Sequence, residues 1–144
     1  MNFIRQILKT KGNKIWSIAP QDTAYKALQI MSKENLGALL VIDKGKVVGI
    51  FTERDYARKV ILKGKSSKTT TVSELMTKEV LYVDPGTSVE DCMVLMTEKC
   101  VRHLPVMEKK QLVGVVTVGD VVKQLISDQK FKIQEMERYI HEEC

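Results

Sequence analysis

Sliding the chain against itself by 65 residues aligns Ile15–Ile61 with Val80–Ile126 without a gap, and this repeat restricts the fold more than any other feature. Pro20 falls on Pro85, Met31 on Met96, Leu39 on Leu104, Val41 on Val106, Val48 on Val113, Gly49 on Gly114, Thr52 on Thr117 and Asp55 on Asp120. Turn formers and polar groups match along with apolar residues, so similar hydrophobicity alone does not produce the alignment. A self-match at fixed period means one supersecondary unit used twice. Each copy is too short to bury much apolar surface alone, so the two are expected to share a core.

Both copies read the same way. A short apolar strand, IWSI or VLYV, meets a proline that cannot continue it (Pro20, Pro85), and Asp22 or Thr87 is placed to cap a following helix. Ala24, Ala27, Leu28 and Met31, and in the second copy Val89, Cys92, Met93 and Met96, recur at the spacing of one buried helical face. Two strands follow, ALLVI and VVGIF around Asp43–Lys46, then HLPVM and LVGVV around Glu108–Gln111. Lys44-Gly45 suits a tight hairpin; the second turn has Lys109-Lys110 and no glycine, which leaves its geometry open. A second helix begins at Thr52 or Thr117. The order is strand, helix, strand, strand, helix, an α/β (α+β) pattern.

Residues 1–14 form a lead-in with an amphipathic helix (Phe3, Ile4, Ile7, Leu8) ending at Gly12. The repeats occupy 15–62 and 80–127. Between them, 63–79 is a polar surface linker whose VSELMT has a helical pattern. One long helix from Asp120 to Tyr139 carries the chain into an extension, 128–144, whose Phe131, Ile133, Met136 and Ile140 suggest a dimer contact.

Charge and cysteine content narrow the function. The net charge of +5 admits a polyanionic partner or an anionic small ligand. Apart from Lys59, Lys63, Lys65 and Lys68 the cations are dispersed among acids, so nucleic-acid binding is the weaker reading. Cys92, Cys100 and Cys144 form no CxxC pair, and His141 with Cys144 makes no tetrahedral metal set. No apolar run approaches a membrane span and no signal peptide is evident, so a soluble, cytoplasmic protein is expected. There is no P-loop, no GxGxxG and no nucleophile with a base, so an enzyme is not expected.

The chemistry concentrates at the two strand-to-helix junctions. A strand glycine (Gly49, Gly114) would let a ligand approach the backbone closely. The threonine hydroxyl lies beside helix N-terminal amides, which suit phosphate. An aspartate three residues on can accept hydrogen bonds from both hydroxyls of a ribose, the logic of the acidic residue in dinucleotide folds. The alternative is structural: Thr52 and Thr117 are only caps, and Asp55 and Asp120 only complement the helix dipole.

GIFTERD (Gly49–Asp55), GVVTVGD (Gly114–Asp120) and RHLPV (Arg102–Val106), with the strand-proline-helix openings, resemble a tandem pair of cystathionine β-synthase (CBS) domains, a Bateman module. The resemblance covers Ile15–Ile126 and implies two β-α-β-β-α repeats packed with pseudo-two-fold symmetry. It implies a nucleotide site in the cleft between the copies at each junction. One would use Ile50, Thr52, Arg54 and Asp55, with Val80 and Leu81 near the base and Arg102 and His103 near phosphate. The other would use Val115, Thr117 and Asp120, with Ile15 and Trp16 near the base and Gly37 and Ala38 where the first has Arg102 and His103. Gly119 replaces Arg54 there, so the second site is expected to be poorer in cations and to hold a monophosphate, a nucleoside or the less charged end of a dinucleotide. Trp16 either stacks on a base or packs in a core, and His103 either faces the ligand or lines an interface.

The function implied is a sensor that binds an adenine nucleotide (AMP, ADP, ATP or NAD) as a regulatory ligand and signals in trans to a protein effector, as a homodimer. The alternative is a basic adaptor for nucleic acid or protein without a nucleotide.

Overall fold

The computed structural model describes residues 2–12 and 14–143, with side chains described through Lys130. The elements run α1 (Ile4–Lys11), β1 (Ser17–Ile18), α2 (Ala24–Glu34), β2 (Ala38–Asp43), β3 (Lys46–Thr52), α3 (Glu53–Tyr56) continued by a π-helical turn (Ala57–Ile61), α4 (Val72–Leu75), α5 (Val89–Lys99), β4 (His103–Glu108), β5 (Gln111–Thr117) and α6 (Val118–Glu143). The protein has a mixed α+β fold with tandem repeats. It divides into two compact units: one of residues 15–81, the other of residues 1–14 with 82–144.

The division shows what completes each repeat. In the 15–81 unit, Ile18, Ala24, Ala27, Met31, Leu39, Val41, Phe51 and Val60 pack with Val72 and Leu75 from α4. In the other unit, Val83, Val89, Cys92, Met96, Leu104, Val106, Val116 and Val121 pack with Ile4 and Ile7 from α1. Each cluster is closed by a short helix from outside the repeat that it serves. Burying Ile4 and Ile7 contributes ~1.5–3 kcal/mol each, enough to fix α1 in place. Backbone bonds anchor these helices in matching ways: Ile4 N–H to the Thr87 carbonyl (2.9 Å), and Val72 N–H to the Asp22 carbonyl (2.8 Å). The linker is more than a surface connection, since Ala24 and Tyr25 donate to the Thr70 and Ser67 carbonyls (2.9 Å each) and Thr70 is buried.

The helix caps fall one residue later than expected. Thr23 Oγ accepts from Lys26 N–H (3.2 Å), and Ser88 Oγ accepts from Asp91 N–H (3.0 Å). Asp22 instead accepts from Ala19 N–H (3.2 Å), and Thr87 from Asp84 N–H (3.2 Å), closing the turns after each proline or before each cap. Helices α2 and α5 end on left-handed residues, Asn35 (φ 56°) and Cys100 (φ 54°), as helices commonly do. Helix α6 runs further than the expected Asp120–Tyr139. The apolar side chains invoked for a dimer seam at Phe131, Ile133, Met136 and Ile140, like His141 and Cys144, lie outside the described side chains.

The first strands are shorter than their sequences suggest. IWSI keeps two strand residues, with Ser17 and Ile18 parallel to Leu40 and Val41. VLYV keeps a single bridge, Val83 to Val106. Val83 bonds the Pro105 carbonyl (3.0 Å) and Met107 N–H (2.8 Å), and the next rung would need an N–H from residue 105, which proline lacks. The antiparallel hairpins are alike to the residue: Asp43 faces Lys46 and Glu108 faces Gln111, with register shifts after Val41 and Val106. Both two-residue turns have positive φ throughout, Lys44 51° and Gly45 78°, then Lys109 51° and Lys110 65°. The second hairpin therefore has the same mirror-image turn without glycine, at some cost in strain.

Candidate functional site

Each junction is a reciprocal capping arrangement. Thr52 Oγ1 accepts from Asp55 N–H (3.1 Å), and Asp55 Oδ2 accepts from Thr52 N–H (3.0 Å). Thr117 Oγ1 accepts from Asp120 N–H (3.2 Å), and Asp120 Oδ2 accepts from Thr117 N–H (2.9 Å). The local sequence dictates this geometry: a threonine leaving a strand in extended conformation, followed three residues later by an acid, satisfies orphan amides at both ends of the turn. The residues just before β2 and β4 support it, with Glu53 N–H on the Gly37 carbonyl (3.1 Å) and Val118 N–H on the Arg102 carbonyl (2.9 Å).

Beyond the cap the two aspartates differ. Asp55 is buried; its Oδ2 also accepts from the Thr52 hydroxyl (3.2 Å), while Oδ1 takes the Thr77 hydroxyl (3.3 Å) and the Lys59 ammonium (3.2 Å). Lys59 is held a second time by the Leu75 carbonyl (2.9 Å). Asp120 is more open, its side chain 21% exposed against 10% for Asp55. Among the described residues its hydrogen bonds and its ion pair all fall on Oδ2, the pair being with Lys11 Nζ at 2.7 Å. Lys11 also donates to the Val115 carbonyl (3.0 Å).

The expected site residues sort by unit. Ile15, Trp16, Gly37, Ala38, Ile50, Thr52, Arg54, Asp55, Val80 and Leu81 belong to the 15–81 unit, where Ala38 pairs with Thr52. Trp16 packs partly buried against that unit's core, and Leu81 is exposed. Arg102, His103, Val115, Thr117 and Asp120 belong to the other unit, where His103 pairs with Thr117. Burial pushes the His103 pKa down, the positive charges of Arg102 and Lys11 push it further, and Asp120 opposes them. Each junction thus has a lysine on its aspartate, Lys59 at Asp55 and Lys11 at Asp120.

Three participants escaped the sequence reading. Lys59 belongs to the basic cluster with Lys63, Lys65 and Lys68, and its i,i+4 spacing from Asp55 on a helix is a readable signal. Thr77 and Lys11 reach the junctions from the lead-in segments, and no local pattern marks them. The glycines also have a different use. A Cβ on Gly49 would lie 2.6 Å from Met76 Sδ and 3.0 Å from the Thr77 carbonyl, and one on Gly114 would lie 2.7 Å from a Leu8 methyl. The close approach they permit here is that of the lead-in segments.

Burial raises the Cys92 thiol pKa to about 11, which leaves it unreactive. Among the described residues no cluster of acids, histidines or cysteines has metal-site geometry, and no helix is long and apolar enough to cross a membrane. An open depression of about 530 Å³ on the 15–81 unit is lined by Tyr25, Leu28, Lys33 and Tyr56 among others, and none of the junction threonines or aspartates borders it.

Two copies of one unit, each closing on a threonine–aspartate capping box, define a tandem α+β module. The family model for the CBS domain matches residues 4–62 and 72–127, and the chain belongs to the CBS domain family. The matched segments include α1 and α4, the helices exchanged into the two cores. A CBS pair of this kind is a regulatory module. The chain is 39% identical over 147 residues to the mitochondrial CBS domain-containing protein CBSX3 of Arabidopsis thaliana, covering 95% of this chain and 71% of that one. A putative signal-transduction protein with CBS domains from Burkholderia ambifaria superposes with a TM-score of 0.86 at 46% identity, covering 89% of this chain and 96% of the other. The CBS domain pair of protein MJ0100, solved in complex with 5′-methylthioadenosine and S-adenosyl-L-methionine, superposes with a TM-score of 0.78 at 25% identity, covering 89% and 98%.

Proposed function

We propose that this CBS pair binds an adenine nucleotide (AMP, ADP, ATP or NAD) at its threonine–aspartate junctions and passes the occupancy to a protein partner in trans. The observation that carries the reading is the junction itself. A carboxylate is fixed beside helix N-terminal amides at the end of a strand, an arrangement suited to a ribose diol and a nearby phosphate. The adenosine ligands of the MJ0100 pair support adenosine as the recognised moiety. A ligand shifts the module only by binding one of its states better than another, and that difference is what a partner reads.

A homodimer accompanies this reading. Val94, Val122 and Ile126 on α5 and α6 are exposed apolar residues, as are Ile61 and Leu62 at the end of the π-helical turn. Ile61 and Ile126 are equivalent positions of the repeat, so each unit presents an apolar helical face at the same place.

Isothermal titration with AMP, ADP, ATP, NAD and S-adenosylmethionine tests the ligand, and native mass spectrometry of the freshly purified protein reports co-purified ligand and subunit number. Saturable binding by at least one nucleotide, with a melting temperature that rises with its concentration, is the expected result. Absence of binding by all five refutes the reading.

A further inference from the structure

We propose that Lys11 is the exchange residue of a nucleoside-phosphate site at the Asp120 junction, passing from the aspartate to the ligand's phosphate when a ribose diol takes the carboxylate. This rests on the nucleotide reading above and adds which junction is used, which ligand class it prefers and which residue sets that preference.

The choice of junction follows from the unequal aspartates. Asp55 has both oxygens engaged, by Thr52 on one and by Thr77 and Lys59 on the other, with its side chain 10% exposed. A diol arriving there would have to break a set of bonds that tie α3 to the segment after α4. Asp120 is bound on Oδ2 among the described residues, and its side chain is twice as exposed. Its partner Lys11 is itself a third exposed and sits on the last turn of α1. The flexible four-carbon stem of a lysine can swing without moving the helix that bears it.

The ligand preference follows from what Lys11 holds. Its ammonium bonds Asp120 Oδ2 at 2.7 Å and the Val115 carbonyl at 3.0 Å. Both are acceptors, and both are what the donors of a nucleoside, its ribose hydroxyls and exocyclic amine, would seek. A bare nucleoside therefore competes with Lys11 and offers its ammonium nothing in return. A nucleoside phosphate displaces the same contact and supplies an anion that Lys11 can bond instead. Arg102 and His103 flank the same junction, His103 pairing with Thr117 and the Arg102 carbonyl accepting from Val118 N–H. The site thus selects for phosphate through a lysine that lies outside the repeat.

The test compares adenosine with AMP by isothermal titration on the full chain, in wild type, Lys11→Met, Lys11→Arg, Asp55→Asn and Asp120→Asn. Wild type is expected to prefer AMP. In Lys11→Met adenosine binding tightens and AMP binding weakens, so the preference falls by about tenfold or more, the scale of one charge-assisted hydrogen bond. Lys11→Arg keeps the charge and most of the preference, which separates loss of the cation from any loss of folding. Asp120→Asn abolishes binding of both ligands, and Asp55→Asn, if it folds, retains it. An unchanged preference in Lys11→Met, or adenosine weakened in step with AMP, overturns the role of Lys11 while leaving nucleotide binding intact. Binding lost in Asp55→Asn with a native fold, yet kept in Asp120→Asn, overturns the choice of junction. Binding of neither ligand by wild type overturns the nucleotide reading and this proposal together.

Discussion

Replacing each junction aspartate by alanine should separate a structural carboxylate from an accessible one. In Asp55→Ala the capping bond to Thr52 N–H (3.0 Å) is lost, which costs ~1 kcal/mol for a cap of this type. The Thr77 hydroxyl (3.3 Å) loses its acceptor in a pocket where the aspartate was 7% exposed, which adds ~1 kcal/mol, whereas the Lys59 ammonium (3.2 Å) is partly solvated and keeps the Leu75 carbonyl, so its loss adds only a few tenths. The sum is ~2 kcal/mol. In Asp120→Ala the cap is lost as well, but the Lys11 pair is partly solvated and its loss adds only a few tenths, about 1 kcal/mol in all. The predicted gap of ~1 kcal/mol corresponds to roughly 3 °C in melting temperature for a chain of this size. Urea unfolding followed by far-UV circular dichroism, with thermal melts in parallel, measures it. If Asp120→Ala proves as destabilising as Asp55→Ala, the distinction between a sealed and an open aspartate fails, and the assignment of the ligand junction loses its basis.

Further consequences can be checked separately. Gly49→Ala should destabilise by ~2–3 kcal/mol, because its methyl meets the Thr77 backbone carbonyl as well as Met76. Gly114→Ala should cost ~1 kcal/mol, since only the Leu8 side chain has to give; equal costs in urea unfolding would contradict this. His103, followed by NMR titration with His141→Gln used for assignment, should have a pKa below the ordinary histidine value of 6.5. Lys11→Met should raise that pKa by removing a cation, Asp120→Asn should lower it by removing an anion, and shifts in the opposite directions would refute the arrangement. Because the unfolded state binds this proton more readily, His103 makes stability fall as pH drops below about 6.5, and His103→Gln should flatten that part of the pH–stability curve. Lys110→Gly should stabilise by ~0.5–1 kcal/mol, since position 110 has φ 65° and the equivalent Gly45 adopts the same sign of φ; a loss of stability would show that the lysine side chain matters there.

Much of the architecture was legible because it is written at short range. The stripes Ala24–Ala27–Met31 and Val89–Cys92–Met96 repeat with the helical period, and these residues are buried in the two cores. The hairpins follow from two apolar runs separated by a two-residue turn, and the junction caps from a threonine and an acid three residues apart. The errors are also local in origin. Asp22 and Thr87 are good capping residues that lost the position to Thr23 and Ser88, because the turns before the helices needed their side chains first. The VLYV strand failed because the proline that blocks its ladder, Pro105, is 22 residues away from Val83 and on another strand.

The sequence by itself determined the repeat, the element order, the family and the identity of the threonine–aspartate pairs, since each depends on residues close together in the chain. Tertiary structure alone decided which core each lead-in helix completes, and therefore which long-range side chains reach each aspartate. Lys11 lies 109 residues from Asp120, and the packing of Ile4 and Ile7 against the second repeat is what brings its ammonium there. Two aspartates equivalent in sequence are unequal in the fold because hydrogen bonding and burial are set by neighbours in space.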